Sequence, residues 1–346
     1  MKTVTLGRDG PEVSRLCLGT MTWGTQTPEA DAHVQIEMAR DRGVNFMDTA
    51  EMYPVNPVSV ETIGRTEEII GNWFEKTGRR GEWVVATKIA GEGGRARNGE
   101  LISADSIRRA VEASLRRLKT DHIDLYQFHW PNRGSYHFRK IWNYDPRNQD
   151  RAVTEAHMVE ALETLAALKA EGKIGHFGLS NESAWGMAGW LRLAEAGHGP
   201  RPMSIQNEYS LLCRIYDGDL AELGYNEDVT LLAFSPLAAG LLTGKYAGDV
   251  IPEGSRRSIV PELGGRVTPR VWEAVSAYLG IASRHGLDPA QMAIAWTLTR
   301  PFPVVPIFGA TTTEQLENAL GAEDVELSDE VIAEISAAHR AHPMPY

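Results

Sequence analysis

Apolar residues along the chain come in two alternating textures. Short runs such as "VNFMDT", "WVVATK", "HIDLYQFH" and "TLLAFSP" are rich in β-forming residues and apolar until near their ends. The stretches between them repeat apolar residues every three or four positions, as a helix with one buried face does. The opening "KTVTLGRDGPEVS" is different, alternating about Gly7–Gly10 like a short hairpin. After it, "RLCLGTM" leads to a helix predicted from about Pro28 to Arg42, with Thr27 as its N-cap and Gly43 as its stop. "VNFMDT" precedes a helix over "ETIGRTEEIIGNWFEKTG", "WVVATK" one over "SADSIRRAVEASLRRLKT", and "HIDLYQFH" one over "EAHMVEALETLAALKAEGK". "IGHFGLS", "MSIQNEY", "TLLAFSP" and "PVVPIFG" continue the series, and an extra helix is expected near Ser328–Arg340.

Strands this apolar, regularly separated by helices, imply a parallel sheet covered on its outside. Eight such units favour a closed α/β structure, the (β/α)8 TIM barrel, over an open doubly wound sheet. No linker rich in Pro, Gly or Ser divides the 346 residues, so a single domain over 1–346 is expected. Two connections, 130–153 and about 238–267, are too long to be plain turns and are expected as lids over the C-terminal rim.

Composition narrows the partners. A net charge of −11 with no long basic run argues against nucleic acid. No apolar run approaches the ~20 residues of a membrane span, and "MKTVTLGRDGPEVS" lacks the apolar core of a signal peptide. Cys17 and Cys213 have no metal or redox spacing and suit a reducing cytosol as small buried hydrophobes. The expectation is a cytoplasmic protein without nucleic-acid, membrane or metal partners; the residues carry no signal of oligomeric state.

In such a barrel the chemistry lies at the C-terminal ends of the strands. Reading only those positions gives Asp48, Lys88 and His129, with Tyr53 in the loop after the second barrel strand. Any one of them alone is commonly just a solvated strand end. Four groups of complementary chemistry on one rim are a candidate site. A phenol with pKa about 10 is poorly matched to neutral pH. An ammonium ~4 Å away, at an effective dielectric of ~20, favours the phenolate by roughly 4 kcal/mol, or about three pKa units. Lys88 is therefore expected to lower the pKa of Tyr53, Asp48 to hold Lys88 charged, and His129 to orient a carbonyl or relay a proton.

These residues, with "DTAEMY", "LSN", "SPL…GLLTGKY" and "GATTTEQL" in the same order, resemble the aldo-keto reductase superfamily over essentially the whole chain. "HWP" and "ETIGRTEEIIG" make the likeness strongest to its Tas-like NADP(H)-dependent branch, related to the potassium-channel β-subunits. The resemblance implies a catalytic tetrad of Asp48, Tyr53, Lys88 and His129. It also implies reduction of a small-molecule carbonyl substrate, aldehyde or ketone, with NADPH (NADP+ in the reverse direction). Ser180, Asn181 and Gln206 would hold the nicotinamide carboxamide and Phe234 would stack on its ring. Ser235, Leu237 and Gly240 would approach the pyrophosphate. Thr20, Met21 and Gln26 align with cofactor contacts of the channel β-subunit branch, and Asp48 also adjoins the cofactor. Lys245 and Arg256 would meet the 2′-phosphate, and Gly309, Thr311, Gln315 and Asn318 the adenosine half. The chain departs from the pattern at Asn318–Ala319, where many relatives have Glu–Asn.

A different class remains open, because channel β-subunits share the barrel and the cofactor but serve mainly as regulatory partners. Those relatives carry Asn at the position of His129, so the intact tetrad favours catalysis. "GEGGRA", 91–96, fits G-x-G-x-x-A after a strand, but a dinucleotide loop needs a helix starting at those glycines. Here "RNGELIS" intervenes and the helix is expected only near Ser103. In the first lid, Trp130, Tyr136 and Trp142 either line a substrate cavity or hold the lid together, and His137 is a weak substrate candidate. His339 and His342 lack helical metal spacing and are expected in solvent.

Overall fold

The computed structural model describes residues 1–346. Two short strands, β1 (Thr3–Thr5) and β2 (Glu12–Ser14), pair antiparallel as the opening hairpin. Eight strands then close a parallel barrel: β3 (Cys17–Gly19), β4 (Phe46–Asp48), β5 (Val84–Ile89), β6 (Ile123–Phe128), β7 (Ile174–Ser180), β8 (Pro202–Glu208), β9 (Thr230–Phe234) and β10 (Val304–Phe308). They pair in sequence order, and β10 returns to β3. The helices outside are α1 (Glu29–Asp41), α2 (Arg65–Thr77), α3 (Ala104–Leu118), α4 (Arg151–Ala170), α5 (Ala184–Glu195) and α6 (Asp219–Asn226). They are followed by a single turn, α7 (Arg256–Ile259), then α8 (Val271–Arg284), α9 (Pro289–Leu298), α10 (Thr313–Leu320) and α11 (Asp329–Ala341). This is the (β/α)8 architecture expected from the alternating pattern, with α11 as the extra helix.

The strands carry two cores because both of their faces are covered. Outward residues such as Met47, Val85, Tyr126 and Phe128 pack under the helices in the large outer cluster. Inward residues Phe46, Ala86, Leu125 and Leu232 join Leu6 and Val13 of the hairpin in a small separate cluster that fills the barrel's lower end. The hairpin is seated there closely. A Cβ at Gly10 would stand 2.4 Å from Met203 Cε, and the Gly7 amide donates to Thr230 Oγ1 at 2.9 Å.

Three boundaries differ from the sequence reading, each for a local reason. Pro28, with extended ψ 158°, is the N-cap of α1 and Thr27 is not; the Thr27 hydroxyl instead donates to the Thr311 carbonyl at 3.3 Å. Helix α2 begins at Arg65 rather than Glu61. Gly64 before it holds φ +85° and lies tightly against Arg117, 2.6 Å from its would-be Cβ to Cδ. Helix α4 starts at Arg151, because the Asp150 side chain accepts from the Val153 amide, so the first lid is shorter than 130–153. No helix is long and apolar enough to cross a membrane.

Candidate active site

Period two along the strands explains the composition of the rim. On β4, Phe46 points into the barrel, Met47 outward and Asp48 inward again, one layer above the inner core. On β5 the same count brings Lys88 inward above Ala86, and on β6 Gln127 above Leu125. Lys88 has no exposed side-chain surface; it donates to Asp48 Oδ2 at 2.6 Å and to the Thr49 carbonyl at 2.7 Å. Asp48 Oδ1 accepts from Gln206 at 2.8 Å and from Gln127 at 3.2 Å. Tyr53, 9% exposed, lies above, its ring centroid 5.0 Å from Lys88 Nζ. His129 follows β6 and meets the Tyr53 ring edge-on at 5.9 Å. The loop carrying Tyr53 is fixed from behind, where buried Glu51 accepts from the Ala90 amide at 2.7 Å and pairs with Arg97.

The electrostatics correct one expectation. The Tyr53 phenol is pushed above its ordinary value, not below it. Burial is the largest cause; Lys88 pulls the other way, and Asp48 immediately behind the cation cancels part of that pull. Tyr53 is thus held as the protonated phenol, the form a general acid requires. Burial also opposes charge on Lys88, but Asp48 and then Tyr53 outweigh it and its pKa rises. His129 is driven well below the usual histidine range by burial and by the Lys88 charge, which keeps its imidazole neutral.

Above this cluster opens a cavity of about 820 Å³, towards the upper end of the ~300–1,000 Å³ of small-molecule sites. Tyr53, Asp48 and His129 line it, and Lys88 is sealed beneath. Every residue that the resemblance assigned to the cofactor also lines it: Thr20, Met21, Gln26, Ser180, Asn181, Gln206, Phe234, Ser235, Leu237, Gly240, Lys245, Arg256, Gly309, Thr311, Gln315 and Asn318. The donor set fits a nicotinamide dinucleotide. Asn181 uses Nδ2 on the His129 carbonyl (2.9 Å) and on Ser180 Oγ (3.1 Å), and leaves Oδ1 buried without a partner. Gln26 Oε1, Asn56 Nδ2, Ser255 Oγ and Arg256 Nε on the same wall are likewise buried and unpartnered. Orphaned polar atoms concentrated in one cavity are the mark of a polar ligand's seat. Phe234 ends β9 half-buried, and beyond it Ser235, Ala238 and Ala239 hold φ of 56°, 47° and 58°. Left-handed turns of this kind gather backbone N–H groups into anion-binding concavities.

Other assigned positions show different local duties. Gly240 leaves room for Lys245, whose Cε would lie 2.7 Å from a Cβ there, and Lys245 Nζ sits 5.1 Å over the Tyr246 ring. Gly309 permits closure of β10 on β3, a Cβ there falling 2.8 Å from the Gly19 carbonyl oxygen. Thr311 donates through both its amide and its hydroxyl to Gln315 Oε1 at 3.1 Å. Asn318 has spent its amide on Asp288 (3.1 Å) and accepts from Gln291 (2.8 Å), in keeping with its departure from the Glu–Asn pattern. Arg256 has its pKa pushed down to about 10 by burial and by Arg266, and its charge is felt at Tyr53.

The lid aromatics divide. Trp130 lines the cavity beside His129, whereas Tyr136 lies outside it and Trp142 is exposed under Arg270. His137 does not reach the cavity; its Nε2 is engaged by the Glu182 carbonyl at 2.9 Å. "GEGGRA" is a seat for Trp130 rather than a phosphate loop, since a Cβ at Gly91 would lie 2.4 Å from the indole and Trp130 Nε1 donates to the Glu92 carbonyl. His339 is half-buried with an unpartnered Nδ1, not solvated as expected, and His342 is also half-buried. Both cysteines are buried and free. The reading missed Asn56, Ser255, Phe138, Arg139 and Arg266 on the cavity wall; only their place in the polar, Arg-rich lids could have pointed to them.

Comparison with known proteins agrees with this geometry. A family model described as "Aldo/keto reductase family" matches residues 15–340. The chain is 43% identical over 338 residues to "Protein tas" of Escherichia coli (strain K12), covering 96% of each chain. It is 31% identical over 337 residues to a "Probable voltage-gated potassium channel subunit beta" of Arabidopsis thaliana, covering 94% of this chain and 92% of the other. It is also 31% identical over 339 residues to "Aldo-keto reductase yakc [NADP(+)]" of Schizosaccharomyces pombe, covering 95% and 88%.

Proposed function

The chain belongs to the aldo/keto reductase family, and from that premise we propose that it is a cytoplasmic NADPH-dependent reductase of aldehydes or ketones, with Tyr53 as general acid. The observation that carries the reading is the fully buried ammonium of Lys88, held between Asp48 and Tyr53 at the floor of an 820 Å³ cavity. NADPH, when bound, supplies a hydride to the carbonyl carbon. The residues of the chain do the rest. Tyr53 donates its phenolic proton to the carbonyl oxygen as negative charge develops there. Lys88 stabilises the phenolate that Tyr53 becomes, and Asp48 keeps Lys88 charged and aimed. Neutral His129 orients the carbonyl without competing as an acid.

Asn181 Oδ1 is free to accept from the carboxamide, and Phe234 offers a ring face for the nicotinamide. Lys245 and Arg256 are the cations for the 2′-phosphate, and the relative named "Aldo-keto reductase yakc [NADP(+)]" lends support to that choice of cofactor. A catalytically weak regulatory role is the second reading, since some relatives are named as potassium channel subunits, and the intact set of Asp48, Tyr53, Lys88 and His129 disfavours it. Oxidation of NADPH, followed at the nicotinamide absorbance when an aldehyde is added to the purified protein, tests the proposal. Turnover should survive dialysis against a chelator. A protein that binds NADPH yet leaves a panel of aldehydes and ketones unreduced would favour the regulatory reading.

A further inference from the structure

Two cavity-lining arginines take no part in the mechanism above. Arg139, in the connection after β6, and Arg266, in the connection after β9, meet over the rim on one buried carboxylate. Arg139 Nη1 donates to Glu208 Oε2 at 2.7 Å, and Arg266 Nε donates to Glu208 Oε1 at 2.8 Å. Glu208 ends β8 and lies behind them, lining a small adjoining void rather than the cavity. Its remaining contact is the neutral hydroxyl of Tyr346, at 3.2 Å. Two guanidinium groups against one carboxylate leave an excess positive charge, and that excess faces the cavity. Arg139 spends one N–H group on Glu208 and leaves its Nε buried with no partner.

The backbone is bent to hold this arginine in place. Phe138 and Arg139 take φ of 56° and 63°, left-handed conformations that cost non-glycine residues energy and collect at ligand sites. A row of ring contacts leads from Phe138, the residue before Arg139, to the reacting end of the cavity. The Phe138 ring packs edge-on against Trp130 at 6.1 Å, Trp130 lies 5.0 Å from His129, and His129 lies 5.9 Å from Tyr53.

We infer that the substrate is a carbonyl compound bearing a carboxylate, which Arg139, backed by Arg266, receives while the carbonyl sits against Tyr53 and His129. The planar fork of a guanidinium matches a carboxylate, and the burial of Arg266 and Glu208 beside it strengthens the pair. This inference rests on the carbonyl-reductase reading and narrows its substrate class.

The test uses the purified protein with NADPH and two probes, 4-carboxybenzaldehyde and its methyl ester. The ester is the more electrophilic, so a preference for the acid cannot come from intrinsic reactivity. The expected kcat/KM favours the acid by about ten- to a hundredfold, and the ratio shrinks with added salt. Arg139→Met should abolish the ratio while the Kd for NADPH stays unchanged, and Arg139→Lys should restore part of it, keeping the charge and losing the fork. Equal kcat/KM for the two probes in the unmodified protein overturns the inference and leaves the reductase reading standing. An increase in the Kd for NADPH in Arg139→Met, with the ratio retained, also overturns it and assigns the arginine to a cofactor phosphate. Reduction of neither probe overturns this inference, and the wider panel of aldehydes and ketones then decides the reductase reading separately.

Discussion

Replacing Lys88 by Met tests how the cation acts on the phenol. At 5.0 Å from the Tyr53 ring centroid, the ammonium favours a phenolate by roughly 3.3 kcal/mol at an effective dielectric of about 20. Asp48 Oδ2 lies 2.6 Å from Nζ and opposes it. Placed directly behind the cation, at about 7.6 Å, it would take back roughly 2.2 kcal/mol. The net support for charge on Tyr53 is therefore roughly 1–3 kcal/mol, and Lys88→Met should lower kcat by about five- to 150-fold. Cofactor affinity should change little, because Lys88 is sealed below the cavity. The substitution also removes the cation paired with buried Asp48, a loss that destabilises by roughly 3–5 kcal/mol, although Gln127 and Gln206 still donate to the carboxylate. The assay is steady-state aldehyde reduction with NADPH, run where circular dichroism shows the variant folded, with the NADPH Kd from fluorescence titration. A folded variant that turns over within threefold of the parent protein would refute the reasoning.

Two further outcomes follow from the same electrostatics. Tyr53 is raised above the ordinary phenol value and His129 is lowered well below 6.5. The reduction rate should therefore be flat from about pH 7 to 9, with an alkaline limb only as pH rises through the Tyr53 pKa and the acid loses its proton. A kcat/KM that already falls between about pH 7 and 8 would mean that Lys88 outweighs burial. The pair Lys245→Met and Arg256→Met should raise the NADPH Kd by about a hundredfold, towards that of NADH, with NADH binding nearly unaffected. Equal binding of both cofactors by the parent protein at low salt contradicts the assignment of these two residues.

The barrel was legible because both faces of its strands are buried, which makes each strand an apolar run bounded by polar residues. The clustering of Asp48, Lys88, His129 and Tyr53 was legible because period two places Asp48 and Lys88 inward where those runs end, with His129 next after β6 and Tyr53 in the loop after β4. Helix starts were read less well. Thr27 looks like a cap, but its hydroxyl is drawn to the Thr311 carbonyl by the return of the last barrel loop, a long-range contact with no local sign. The direction of the Tyr53 pKa was misread for a related reason. A pairwise estimate from Lys88 contains neither the depth of burial nor the shielding by Asp48. Arg139 and Arg266 were missed as a pair, since only folding brings two lids 127 positions apart onto Glu208.

The central claim is that Tyr53 is the proton donor in a hydride-transfer reduction, and Tyr53→Phe tests it most directly. The substitution removes one oxygen and keeps the ring that packs against His129. Single-turnover reduction of a good aldehyde by the NADPH-loaded protein should slow by about 10²–10⁴-fold, with the NADPH Kd within a few-fold of the parent value. Single-turnover reduction at the parent rate would contradict the claim, because the proton would then be coming from another group.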